Sequence, residues 1–282
     1  MFFDTHTHTK YSCDCSKIPE DAIVSAISKG LSGIAITDHS DLRLFEMFDI
    51  ETELPASARE TQRLKEKYGD KIIISNGIEI SDAAAEGFSD RLDTALGFYD
   101  YDIVLASVHI VDYKDKWVQF SSDDFSKTDS RQLQDMLDIY FEYMLRSVYD
   151  NQFSTLCHVT YPMRYINGIY KRGITLDRNI KTIEDIFKII IDKNTCLEIN
   201  TAKCTKENPF AFCPESELIK LYISLGGRMF TLGSDSHIAG SEGRCFTEAS
   251  EFLKSHGING AYYFEKKSPV YYNFQGVTKC TR

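Results

Sequence analysis

The chain carries seven histidines, and their placement is the first feature with chemical content. His6 and His8 stand two apart at the end of a short apolar run, Met-Phe-Phe-Asp4-Thr-His6-Thr-His8. Residues i and i+2 of a strand share a face, so both imidazoles project the same way from one stretch of backbone. That geometry suits a metal ion. His39 follows Gly33-Ile-Ala-Ile-Thr37-Asp38, His109 follows Ile103-Val-Leu-Ala-Ser-Val108, His158 ends Phe153-Ser-Thr-Leu156-Cys157-His158, and His237 ends Met229-Phe-Thr-Leu232-Gly-Ser-Asp235-Ser-His237. These six all fall at or just beyond the C-terminal end of a strand-like run. Glu79, Asp235 and, in the first loop, Asp14 share those positions.

A lone strand-end histidine is usually a packed or hydrogen-bonded side chain. Six around one mouth would repel when protonated and serve no packing purpose, so the pattern points to metal. Imidazole with carboxylate suits zinc, manganese or iron rather than calcium or magnesium. Nine ligands are too many for one or two ions; three divalent ions, each with about three protein ligands and open positions for water or substrate, use the set. The seventh histidine, His256, reads as ordinary surface of the last helix.

The elements that must position these residues alternate between strand and helix signals. Pro19 opens a helix with Ala22, Ile23, Ala26 and Ile27 on its apolar face. Residues 51–68 read as a charged surface helix, 117–129 as loop, and 131–149 as a helix with Leu133, Leu137, Tyr140, Met144 and Val148 on one side. Further strands are expected at Lys71–Ile80 and Cys196–Asn200, a last short one at Gly260–Phe264, and the aromatic stretch 270–274 packs against the body. The sum is seven strand-helix units in one domain over residues 1–282, an α/β chain with parallel strands. Site residues at nearly every strand end favour a closed barrel over an open sheet, which concentrates its site at one switch point. No Gly-x-Gly-x-x-Gly or Walker-type loop occurs.

Of the 282 residues, 43% are hydrophobic and 26% charged, with a net charge of -10. This acidic balance, without a basic run, disfavours nucleic acid as a partner. A small anion remains a fitting substrate, because bound metal inverts the local field. No apolar run is long enough for a membrane span, and no signal peptide is evident. The eight cysteines are scattered and lack paired spacing, so they read as reduced thiols of a cytoplasmic protein.

With these residues set out, the sequence resembles the PHP family (polymerase and histidinol phosphatase) of metal-dependent phosphoesterases, in its monofunctional histidinol-phosphatase branch. The resemblance rests on Asp4-Thr-His6-Thr-His8, Ile36-Thr-Asp38-His39, Gly77-Ile-Glu79, Ser107-Val-His109, Cys157-His158, Leu197-Glu-Ile-Asn200-Thr201 and Leu232-Gly-Ser-Asp235-Ser-His237, in family order. It implies a distorted seven-stranded, TIM-like (β/α) barrel. It also implies three ions: one held by His6, His8, Glu79 and Asp235, a second by Glu79, His109 and His158, and a third by Asp14, His39 and His237. Asp14 departs from the family pattern, where histidine is frequent. Asp4 is expected to orient a ligating imidazole. Arg164 is expected on the phosphate, and Lys203 or Lys206 stands where relatives present an arginine, losing its bidentate fork.

The implied activity is hydrolysis of L-histidinol phosphate to L-histidinol and phosphate, a step of histidine biosynthesis, by a hydroxide that the metal cluster activates. Asp38 or water would protonate the leaving group, with Arg164 and His237 as the other catalytic side chains. Asp41, Glu46, Asp112 and Asp115 are positioned to meet the substrate amine or imidazole, and Tyr161, Tyr165 and Tyr170 could stack on it, though aromatics are more often packing. The rivals are a phosphoesterase acting on nucleotides, a non-catalytic metal-binding module, and an amidohydrolase, which would usually require a strand-end bridging lysine.

Overall fold

The computed structural model describes residues 1–274. Its elements run β1 (Phe3–Asp4), α1 (Pro19–Ser28), β2 (Gly33–Ile36), β3 (His39–Asp41), α2 (Ile50–Tyr68), β4 (Ile73–Ser81), α3 (Ser89–Gly97), β5 (Ile103–Ser107), β6 (Ile110–Tyr113), β7 (Lys116–Gln119) and α4 (Ser130–Asp150). The second half continues with β8 (Thr155–Leu156), α5 (Met163–Ile166), α6 (Ile180–Asp192), β9 (Cys196–Asn200), α7 (Ser216–Ser224), β10 (Phe230–Gly233), α8 (Phe246–Ser255), β11 (Gly260–Glu265) and β12 (Ser268–Asn273).

The parallel sheet has the order β1-β2-β4-β5-β8-β9-β10, and β3 prolongs the β2 stave by pairing with β4 further along. Seven staves result, each followed by a helix, as the alternation of signals implied. The ring is drawn together by the N-terminal segment: Thr5 N donates to Leu232 O at 3.0 Å, Asp235 N to His6 O at 2.8 Å, and His8 N to Ser236 O at 3.0 Å. The strands are apolar on both faces because helices cover the outside. α6 shows the covering pattern, with Ile183, Ile186, Phe187 and Ile190 buried at helical spacing.

Inside the staves, Ala35, Ile103, Leu105, Cys157 and Cys196 form a small cluster separate from the main core. Phe264 from the β11–β12 hairpin completes it, and Tyr263 of the same hairpin stacks on Phe3 at 4.0 Å. The hairpin thus plugs the end of the barrel at which the strands begin. One expectation is corrected here: residues 117–119 are not loop but belong to β7, which pairs antiparallel with β6. No helix among the described residues is long and apolar enough to cross a membrane.

Candidate metal centre

Strand periodicity carries each stave from the apolar layer to the mouth. Two residues beyond Leu105 lies Ser107 and then His109; two beyond Cys196 lies Glu198 and then Asn200; Ala35 is followed by Thr37 and His39. The side chains that converge are nearly all buried. Glu79 stands at the centre. Its Oε2 is 3.3 Å from His6 Nε2, 3.4 Å from His8 Nε2 and 2.8 Å from His39 Nδ1. Its Oε1 is 3.3 Å from His109 Nε2 and 2.8 Å from His158 Nε2. Asp235 Oδ1 lies 3.4 Å from His8 Nε2 and 3.6 Å from His237 Nδ1. Asp14 faces His39 Nε2 at 3.6 Å and His237 Nε2 at 3.3 Å. All nine anticipated ligands therefore meet in one place, although the Asp14 side chain is 56% exposed where that of Glu79 is 0%.

The fit to divalent ions rests on atoms left without partners. His39 Nδ1 and His237 Nε2 are buried and make no hydrogen bond, despite carboxylate oxygens within 3.3 Å. His6 Nε2 and His8 Nε2 meet at 2.9 Å in a hydrogen bond in which one ring donates to the other, so both nitrogens already converge on one point where an ion could take the place of that proton. Triads such as His6, His8 and Asp235, or His8, His39 and His237, bring their donor atoms within 4.8 Å of one another, and the donors are the imidazole and carboxylate set suited to zinc, manganese or iron.

Three of the ligating rings, His6, His8 and His109, are held from behind. Glu198 Oε1 takes His6 Nδ1 at 2.7 Å, while its Oε2 accepts from His158 N at 2.9 Å. Asp41 Oδ1 takes His109 Nδ1 at 2.8 Å and Ser12 Oγ meets His8 Nδ1 at 3.1 Å. Such partners fix ring orientation and tautomer and raise ligand basicity. Sequence spacing gives Glu198 and Ser12 no role, and Asp41, expected against the substrate, holds the His109 ring instead. Gly233 is part of the same device: a Cβ at that position would lie 1.9 Å from Glu198 Oε1 and 2.8 Å from His6 Cβ. His158 and Asp235 are left-handed, at φ 27° and 51°, a strain of about 1–3 kcal/mol each that tends to persist at functional sites.

Two expected roles are corrected. Asp4 orients backbone rather than an imidazole: Oδ1 accepts from Ser234 N at 3.0 Å and Oδ2 from Gly243 N at 2.8 Å, pinning the first strand to the loop after β10. Burial pushes its carboxyl up to about 6 in spite of those bonds. Asp38 does not face the pocket. Its carboxylate accepts from Thr9 N at 2.6 Å and from the hydroxyls of Thr9, Ser12 and Ser57, so it braces the first loop and is not free to pass a proton to a substrate.

Without metal, the charges of the ring are strongly coupled. Burial opposes the charge on His6, but Glu198, Glu79 and Asp235 hold its pKa well above the usual value. Burial likewise opposes charge on His109, which Glu79 and Asp41 nevertheless raise to about 10. Burial together with His39 and His237 drives His8 well below the normal range. Burial would raise Glu79, yet His39, His6 and His109 hold it well below.

A cavity of about 450 Å³ opens onto the ring. Asp14, His39, His109, His158, Asp235 and His237 form its metal-facing side, and Arg164, Lys203 and Arg244 supply cations. Arg164 is held by Asp235 Oδ2 at 3.0 Å and by Asn200, with its Nε buried and unpartnered. Burial and the neighbouring Arg164 lower the Lys203 pKa. Arg244 escaped the sequence reading because it lies far along the chain, after the last motif; its Nη1 donates to Ala202 O at 2.8 Å. Gln119 and Ser121, beyond the β6–β7 turn, complete the wall with Tyr161 and Tyr165. Other substrate candidates point elsewhere: Asp112 binds Arg43 and Tyr143, Glu46 binds Arg91, and Tyr170 donates to Asp123 O. Lys206 and Asp115 do not line the cavity.

Both the sequence and the fold have known relatives. The PHP domain family model matches residues 4–202. A probable histidinol-phosphatase of Clostridium acetobutylicum is 29% identical over 277 residues, covering 96% of this chain and 100% of the relative. One of Thermotoga maritima is 30% identical, covering 89% and 91%. The crystal structure of a histidinol phosphate phosphatase from Lactococcus lactis, complexed with zinc, L-histidinol and phosphate, superposes with a TM-score of 0.76 at 24% identity, over 95% of this chain and 98% of the other. That likeness carries the fold.

Proposed function

We propose a reaction for a chain that belongs to the PHP domain family: hydrolysis of L-histidinol phosphate to L-histidinol and phosphate, serving histidine biosynthesis. The observation that carries it is Glu79, whose two oxygens face two separate groups of imidazoles beside a cavity walled by cations. The names of the full-length relatives point to the same substrate.

In this reading three divalent ions are held, the first by His6, His8, Glu79 and Asp235, the second by Glu79, His109 and His158, and the third by Asp14, His39 and His237. When bound, such ions supply Lewis acidity, acidifying water into a nucleophile near neutral pH and offsetting charge on phosphate oxygens. The chain's residues do the rest. Glu198, Asp41 and Ser12 keep the imidazoles aimed inward. Arg164, fixed by Asp235 and Asn200, brings its positive charge to the cavity wall for the phosphate, and Lys203 and Arg244 add charge at the rim. Tyr161 and Tyr165 offer aromatic faces to the imidazole of the substrate, and Gln119 and Ser121 offer hydrogen bonds. The seven described cysteines are all free thiols, in keeping with a reducing, cytoplasmic setting.

The test is phosphate release by manganese- or zinc-loaded protein from L-histidinol phosphate, p-nitrophenyl phosphate and a nucleoside monophosphate. A turnover of roughly 1 per second or more with clear preference for histidinol phosphate is expected. Preference for the nucleotide would move the substrate assignment, and slow turnover of all three would remove it.

A further inference from the structure

Beneath Glu79 lies a thiol that the scheme above leaves unused. Cys157 is wholly buried at the top of the barrel's inner layer. The left-handed backbone of the next residue, His158, interrupts the strand alternation, so two consecutive side chains approach the same corner. Cys157 Sγ is 3.5 Å from Glu79 Oε1 and 3.6 Å from His158 Nε2. Zinc binds sulfur at about 2.3 Å and nitrogen or oxygen at about 2.0–2.1 Å, so the sulfur edges of a tetrahedron around it measure about 3.6 Å. Both observed separations match. The corresponding nitrogen–oxygen edge is about 3.3 Å, and His109 Nε2 lies 3.3 Å from Glu79 Oε1. His158 Nε2 and Glu79 Oε1 are closer, at 2.8 Å, because here they share a proton where an ion would separate them. His6, Cys157 and His158 also bring donor atoms within 4.8 Å of one another.

We propose that Cys157 Sγ joins Glu79, His109 and His158 as a fourth protein ligand of the second ion, biasing that position toward a thiophilic metal such as zinc. The inference rests on the metal reading given above. On binding, the sulfur–metal bond forms, the thiol gives up the hydrogen bond it donates to Ala106 O at 3.0 Å, and its proton leaves to solvent. Soft sulfur selects zinc over manganese, which prefers carboxylate and water.

Cobalt(II) separates this from a packing role. Metal-free protein loaded with cobalt should develop the intense near-ultraviolet absorption of a thiolate-to-cobalt charge transfer, beside the weak visible bands of cobalt with nitrogen and oxygen ligands. Cys157→Ser and Cys157→Ala should lose the intense band, keep the visible bands and the far-ultraviolet dichroism of the fold, and lose zinc affinity relative to manganese by at least about 10-fold, the lower end of what even an outer partner of a ligand contributes. Cys13→Ser and Cys15→Ser, altered near Asp14, should retain the band. Visible cobalt bands without charge transfer in the unaltered protein would overturn the proposal while leaving the metal reading intact. Loss of the band in the Cys13 or Cys15 variants but not in those of Cys157 would overturn it as well, and no cobalt uptake at all would overturn both.

Discussion

The two ends of the barrel are built from the same staves and obey opposite rules. Where the strands begin, Ala35, Ile103, Leu105 and Cys196 pack around Phe264, an apolar floor closed by the β11–β12 hairpin. One or two side-chain layers higher, the same strands present Thr37 and His39, Ser107 and His109, Glu198 and Asn200, polar groups buried as thoroughly as the floor. Burying charge costs several kcal/mol per ion unless it is paired. At the mouth the carboxylates are balanced by imidazoles and by Arg164, and several nitrogens find no partner. The lesson is a division of labour along one strand: the floor supplies stability, and the mouth holds a destabilising arrangement that ions relieve. Conserving that division is what a (β/α) barrel permits.

The sharpest way to break this contrast is Glu79→Gln, which keeps the shape but removes the charge that serves both imidazole groups. Phosphate release should fall by roughly 10³-fold or more, while the far-ultraviolet dichroism retains the signature of the folded barrel. A large loss of fold would merge the two ends into one structural unit. The mirror experiment is Phe264→Ala, in the plug. Urea unfolding should show a loss of about 3–5 kcal/mol, with turnover per folded molecule unchanged.

Glu198→Gln probes the join between the ends, since Glu198 stands one step above the floor and steers His6. Metal affinity, followed by competition with a chelating dye, should drop about 10–100-fold, with a smaller change in stability. The gentlest test uses protons. His109, raised to about 10, is protonated in the metal-free protein at pH 7, as are His6 and His39, whose pKa values also lie well above normal. Ions bind only the neutral rings, so zinc added to unbuffered metal-free protein at pH 7 should release protons. Because the protonated form persists up to the raised pKa, affinity should weaken as pH falls below about 10, by about tenfold per unit for each proton displaced. No acidification on zinc binding would contradict the charge distribution of the mouth.

Much of the mouth was legible because its residue types are rare and its spacing regular. Six histidines at strand ends, with Glu79 and Asp235, announce themselves in one dimension, and the alternation of apolar strands with helices gives the seven staves. What stayed hidden depends on the third dimension. Glu198 sits in a strand like any buried residue, and only the missing side chain of Gly233, on the intervening β10, lets its carboxylate reach across to His6. Asp38 looks like a strand-end acid beside a ligand, but Thr9, Ser12 and Ser57 occupy its oxygens. The β6–β7 hairpin is short and polar enough to read as loop, although its pairing delivers Gln119 and Ser121 to the cavity wall.

The most direct test of the central claim is to strip the protein with a chelator and add manganese or zinc back in measured equivalents while following phosphate release from L-histidinol phosphate. Activity absent from the stripped protein, returning with metal and reaching its plateau at three ions per chain, is the predicted result. Full turnover by the metal-free protein, or a plateau of activity with no ion bound, would contradict it.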